Sequence, residues 1–119
     1  MTYTIKQVAD RFHMTPQAIR YYEKAGLLRE LERNESGVRI FHESDMEWIS
    51  LLRCLRETGM NIKELQQYVQ LWKQGERTME ERKRILLRHK SRIEKQIESL
   101  QCNLKTVQYK IELCEKGIV

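Results

Sequence analysis

Among 119 residues there is one proline and there are five glycines, so tight-turn chemistry is scarce. The abundant Lys, Arg, Glu, Gln and Leu point instead to a largely helical chain. No run of about 18 apolar residues occurs, which excludes a membrane-spanning helix as an expectation. The N-terminus lacks the apolar stretch of a signal peptide, because Lys6, Gln7, Asp10 and Arg11 interrupt it. A cytoplasmic location is therefore expected. Three cysteines, Cys54, Cys102 and Cys114, are an odd number without close pairing, and this does not read as a disulfide framework. Phosphate-loop glycines, paired carboxylates in a recognisable setting and a Cys/His/Asn arrangement are also missing, so no enzyme is expected.

What is present is positive charge, +5 overall, which suits a polyanionic partner without identifying one. Residues 1–41 hold seven Lys/Arg against five Asp/Glu, and residues 78–119 hold ten against six. Charge alone would point to the C-terminal segment.

Helix starts are marked by Ser, Thr or Asn followed three residues later by Glu or Gln, the reciprocal pairing of a capping box. Thr4 with Gln7, Ser44 with Glu47, Asn61 with Glu64 and Thr78 with Glu81 all fit. The first helix spaces Ile5, Val8, Ala9 and Phe12 on one face and breaks at His13 and Met14. Thr15 caps a second helix, Pro16 suits its first position and Gly26 can close it. At about 100° per residue, Ala18, Ile19 and Tyr22 turn inward while Gln17, Arg20, Tyr21 and Lys24 turn outward. Those outward groups carry the donors suited to phosphate oxygens and base edges. An ordinary solvated face is the bland alternative.

Helix, tight turn and helix describe a helix-turn-helix, with residues 16–25 as the recognition helix. After Leu28 the period fails. A polar turn over residues 34–37 followed by Val38, Arg39, Ile40 and Phe41 predicts a small hairpin, a wing carrying Arg33 and Arg39 towards the flanking backbone. A third helix, about 45–58, has Trp48, Ile49, Leu51, Leu52 and Leu55 as its stripe. A fourth, about 62–74, buries Ile62, Leu65, Tyr68, Val69 and Trp72.

From Thr78 the pattern changes. Ile93, Ile97, Leu100, Leu104, Val107, Ile111 and Cys114 alternate steps of four and three, a coiled-coil seam. Upstream, the register gives Met79 and Leu86 but also Lys83 and Lys90, a poorer zipper. A helix over 78–116 would be about 55 Å long, and no second long helix exists in the chain to cover its stripe. A homodimer is expected, ahead of the alternative in which the helix folds back onto the small domain for part of its length. The layout is thus mostly α: a winged helix-turn-helix domain over residues 1–75 and a coiled-coil dimerisation helix over residues 78–116.

The segments YTIKQVA (3–9), IRYYEKAGLL (19–28), SGVRIF (36–41) and LRETGMNIKEL (55–65), followed by the long helix, resemble the MerR family of transcriptional regulators. The resemblance implies a dimer joined by an antiparallel coiled coil. It also implies binding to a pseudo-palindrome in an overlong promoter spacer, and bending and untwisting of that double-stranded DNA so that RNA polymerase can engage. By position it assigns DNA contacts to Arg20, Tyr21 and Arg39. Gln17 and Lys24 join them from the facial argument, Arg33 from the wing, and Lys63 as a weaker phosphate candidate. Many members have tyrosine after the wing glycine, where this chain has Val38.

RNESGVR, LLRCLRETGM and LWKQGERTMEERKRILL resemble the subgroup that responds to aldehydes and other thiol-reactive electrophiles through one cysteine in the third helix. This makes Cys54 the sensor candidate, against the bland reading of a small buried hydrophobe. Nearby charge does not help it: the helix C-terminus disfavours a thiolate and Arg53 and Arg56 project to other faces. A cation from Arg82, Lys83, Arg84 or Arg88 would be needed. Cys114 is expected to pack in the seam and Cys102 to be exposed opposite it. His13, His42 and His89 fall on different elements, and neither a metal nor a cofactor is expected. Two other readings stand beside the regulator: a ligand-independent repressor or architectural DNA-binding dimer, and a coiled-coil protein-interaction module.

Overall fold

A computed structural model describes residues 1–118. The elements run β1 (Thr2–Tyr3), α1 (Ile5–Phe12), α2 (Pro16–Lys24), β2 (Glu32–Arg33), β3 (Arg39–His42), α3 (Glu43–Glu57), α4 (Ile62–Lys73), a 3-10 turn (Glu76–Thr78) and α5 (Met79–Glu115). The chain is mostly helical, with a winged helix-turn-helix followed by two helices and one long C-terminal helix. It divides into two compact units, Met1–Arg82 and a second beginning at Lys83.

In α1 the predicted box closes both ways: Gln7 N donates to Thr4 Oγ1 (3.2 Å) and Thr4 N to Gln7 Oε1 (2.9 Å). The helix ends where His13 enters the left-handed region at φ 53°, and Met14 N reaches back to Ala9 O. A second box closes at α4, with Glu64 N donating to Asn61 Oδ1 and Asn61 N to Glu64 Oε1. The other two expected boxes are not the ones formed. The α3 helix starts at Glu43, and Asp45 rather than Glu47 receives the capping bond, from His42 N at 2.8 Å. The Thr78 hydroxyl is buried and turned back onto the carbonyls of Leu71 and Gly75, so it closes α4 instead of opening α5.

The wing forms as predicted around Asn34, whose Oδ1 accepts from Ser36 N and Val38 N, with Gly37 at φ 79°. A third strand joins it unannounced: the sheet order is β1-β3-β2, all antiparallel. The core of the first unit gathers Val8, Ala9, Ile19, Tyr22, Leu27, Phe41, Met46, Ile49, Leu52, Leu55, Leu65 and Val69. Full burial of the Val, Leu, Ile, Phe and Met side chains among them is worth about 1.5–3 kcal/mol each. Met46 extends the α3 stripe one turn upstream of the predicted one, while Trp48, Leu51, Ile62 and Trp72 are only half-buried. Trp48 uses its polar edge well, donating from Nε1 to Leu27 O at 2.7 Å and packing against Trp72 at 4.8 Å between ring centroids.

In the second unit, α5 continues with its seam open. Leu86 and Ile93 are half-buried, and the seam from Ile97 to Ile111 is exposed in the single chain. Cys114, which continues the seam, is exposed in the single chain as well. No helix among the described residues is long and apolar enough to cross a membrane.

Candidate nucleic-acid interface

The α2 helix is held at both ends by local chemistry. Ala18 N donates to Thr15 Oγ1 at 3.1 Å, Pro16 opens the helix, and Gly26, at φ 78°, lets Leu27 N bond to Tyr22 O. Its length is therefore fixed, and so is the division of its faces. Ile19 and Tyr22 are buried; Gln17, Arg20, Tyr21 and Lys24 are all exposed. The two adjacent tyrosines separate fully, Tyr22 at 8% exposure and Tyr21 at 52%. Burial pushes the Tyr22 hydroxyl above its ordinary value, with Arg56 opposing and Glu57 adding to the shift. Burial thus favours the neutral phenol over the phenolate.

The exposed face thus presents an amide, a guanidinium, a phenol and an ammonium together. Guanidinium and ammonium offer donors only, while the amide and phenol both donate and accept. That combination can meet phosphate oxygens and the mixed edges of a major groove. The α2 helix is also braced from behind, since Gln66 Nε2 on α4 donates to Ala25 O at 3.0 Å. Lys63 stands exposed in the opening turn of that same α4.

Of the two wing arginines, Arg33 is exposed as expected and Arg39 is not. Alternation along the strand predicts that Arg39 faces outward, yet it is half-buried and its Nε donates to Glu23 Oε1 at 2.6 Å. Arg33 Nη2 donates to the other oxygen of the same carboxylate at 3.2 Å, and its Nη1 to Gly37 O at 3.1 Å. Arg33 and Arg39 are cross-strand partners, and like charges in that relation repel. Glu23 offsets the repulsion and ties both strands to α2. Sequence reasoning passed over Glu23; the signal was two arginines facing each other across a predicted hairpin, which call for a counter-charge.

Cys54 is exposed near the end of α3. Its carbonyl accepts from Thr58 N and Thr58 Oγ1. The neighbouring cation is committed elsewhere, because Arg53 pairs with Glu57 at 2.9 Å. Arg82 directs its guanidinium to Thr78 Oγ1 and Gly75 O. His13, His42 and His89 lie on separate elements, and among the described residues no three of His, Cys, Asp and Glu converge as a metal site would need.

Residues 3–72 match the family described as MerR HTH family regulatory protein, and residues 46–108 match the one described as MerR, DNA binding. The HTH-type transcriptional regulator AdhR of Bacillus subtilis is 40% identical over 89 residues, 75% of this chain and 64% of that protein, so the match spans just under two thirds of its length. An HTH-type transcriptional regulator of Haemophilus influenzae is 34% identical over 98% of this chain and 87% of its own. Among solved structures, HiNmlR, a MerR family regulator lacking the sensor domain and bound to promoter DNA, superposes with a TM-score of 0.91 at 33% identity, covering 98% of this chain and 93% of that one. A MerR family regulator from Bacillus thuringiensis gives 0.85 at 38% identity, covering 94% and 98%. Each of these relatives is a transcriptional regulator rather than an enzyme.

Proposed function

The chain belongs to the MerR family of DNA-binding transcriptional regulators, and on that premise we propose that it acts as a homodimer on a pseudo-palindromic promoter site. Residues 1–75 form the DNA-binding domain and residues 78–116 the dimerisation helix. Gln17, Arg20, Tyr21 and Lys24 approach the major groove, and Arg33, Arg39 and Lys63 the flanking phosphates. The bound dimer distorts the promoter spacer and so controls engagement by RNA polymerase.

One observation carries this reading: four polar side chains of complementary chemistry share the exposed face of a helix whose buried face and adjoining wing are both fixed. Support also comes from HiNmlR, which is bound to promoter DNA and matches nearly the whole chain. Footprinting tests it. A protected palindrome between promoter elements is expected, and Arg20→Ala or Tyr21→Ala should weaken it roughly tenfold or more. Unchanged protection in both variants, or uniform salt-sensitive coverage of any duplex, would refute the assignment.

The signal in this reading is a thiol-reactive electrophile captured at Cys54, which is exposed and therefore open to attack. A ligand-independent regulator of the same architecture is the second reading. What favours it is that Arg53, adjacent to Cys54 in sequence, is paired with Glu57, and a thiol without a cation beside it is not activated.

A further inference from the structure

Glu23 is the one acidic residue in α2, and it stands between a basic recognition face and a basic wing. Its oxygens divide between the strands, one to Arg39 and one to Arg33. A carboxylate in this place opposes DNA binding in two ways. It repels neighbouring phosphates directly, and it neutralises part of the charge that two arginines would otherwise offer them. Raw affinity would be higher without it. What it supplies in return is a fixed wing, since the hairpin turn leaves the wing no other ionic tie to α2 among those the described residues form.

Operator and non-specific binding respond differently to that exchange. Sequence-specific docking needs the recognition face and the wing to fit one duplex together, and a wing held in advance loses less freedom on docking. Non-specific binding depends mainly on how much positive charge is available, whatever its arrangement.

We propose that Glu23 is a positioning residue that sets the ratio of operator to non-specific DNA binding, by holding Arg33 and Arg39 at a fixed place beside α2 and masking part of their charge. This rests on the DNA-contact reading of α2 and the wing.

The test uses the full-length protein, the duplex protected in footprinting and a scrambled duplex of equal length, titrated from about 50 to 200 mM salt, the range over which phosphate contacts are separable. Glu23→Gln keeps the side chain's size and removes its charge. Its affinity for the scrambled duplex should rise about three- to tenfold at the low-salt end, with the log–log salt slope steeper by about one to two per protomer as the arginines become available. Operator affinity should not rise in step, so the ratio falls. Glu23→Asp keeps the charge but is one methylene too short to reach both strands. It should steepen the scrambled-duplex slope by no more than about one per protomer while lowering operator affinity, and it carries the test alone if Glu23→Gln does not fold. Equal losses on both duplexes with an unaltered slope would mean bracing without tuning, and would overturn the proposal. Arg20→Ala separates the two levels. If it leaves operator binding intact, the contact reading itself fails; if it abolishes operator binding while both Glu23 variants keep the wild-type ratio, only the role of Glu23 fails.

Discussion

The apolar seam of α5 can be tested quantitatively. Leu100 is 67% exposed and Leu104 is 56% exposed in the single chain. Complete burial of a leucine is worth about 1.5–3 kcal/mol, so covering the open part of each contributes about 1 kcal/mol, and truncation to alanine adds a cavity term of similar size. In a two-fold symmetric pair every substitution counts twice. The double variant Leu100→Ala, Leu104→Ala removes four side chains from the interface and should cost about 4–8 kcal/mol of association free energy. That corresponds to a dimer Kd raised about a thousandfold at the low end. Sedimentation equilibrium over nanomolar to tens of micromolar protein reads this directly, with circular dichroism confirming that the first unit remains folded. A wild-type protein that sediments as a monomer throughout, or a double variant whose dimer loosens less than tenfold, would refute the seam as an interchain contact.

Other predictions concern local chemistry. Asn61→Ala removes the acceptor for Glu64 N and should cost about 1 kcal/mol, seen as a fall of several degrees in Tm; an unchanged Tm would show that the box is not a stabilising cap. Cys54→Ser should abolish the transcriptional response to an aldehyde, and a serine variant that responds like wild type would remove Cys54 from the signalling scheme. The raised Tyr22 hydroxyl makes a signed claim: the folded state holds that proton more tightly than the unfolded chain. Its contribution to stability is therefore fully present below about pH 10 and is lost as pH rises through the folded value. Denaturant melts of wild type and Tyr22→Phe should diverge only above that pH, and parallel curves throughout would contradict the burial argument.

Local rules carried far where the determining atoms are close in sequence. Thr15, Pro16 and Gly26 delimit α2 within a dozen residues, and Asn34 with Gly37 delimits the wing turn, so both could be read from the chain. The boxes failed where tertiary demands intervened: Thr78 is taken by the end of α4, and His42 leaves a strand and enters α3 without a spacer, which moves the capping bond to Asp45. The strand β1 is two residues long, below any periodicity, and exists only because β3 has an edge to pair. The donor face of α2 followed from helical angles alone. The half-burial and pairing of Arg39 did not, because they depend on Glu23, sixteen residues away and on another element.

The placement of β3 between β1 and β2 bears on how the protein can be handled. With Thr2 opposite His42 and Tyr3 opposite Phe41, the first residues are stitched to the strand that carries Arg39. A fluorophore attached at Met1 would sit next to that strand and report its displacement when a duplex arrives. A bulky purification handle fused there would crowd the same strand.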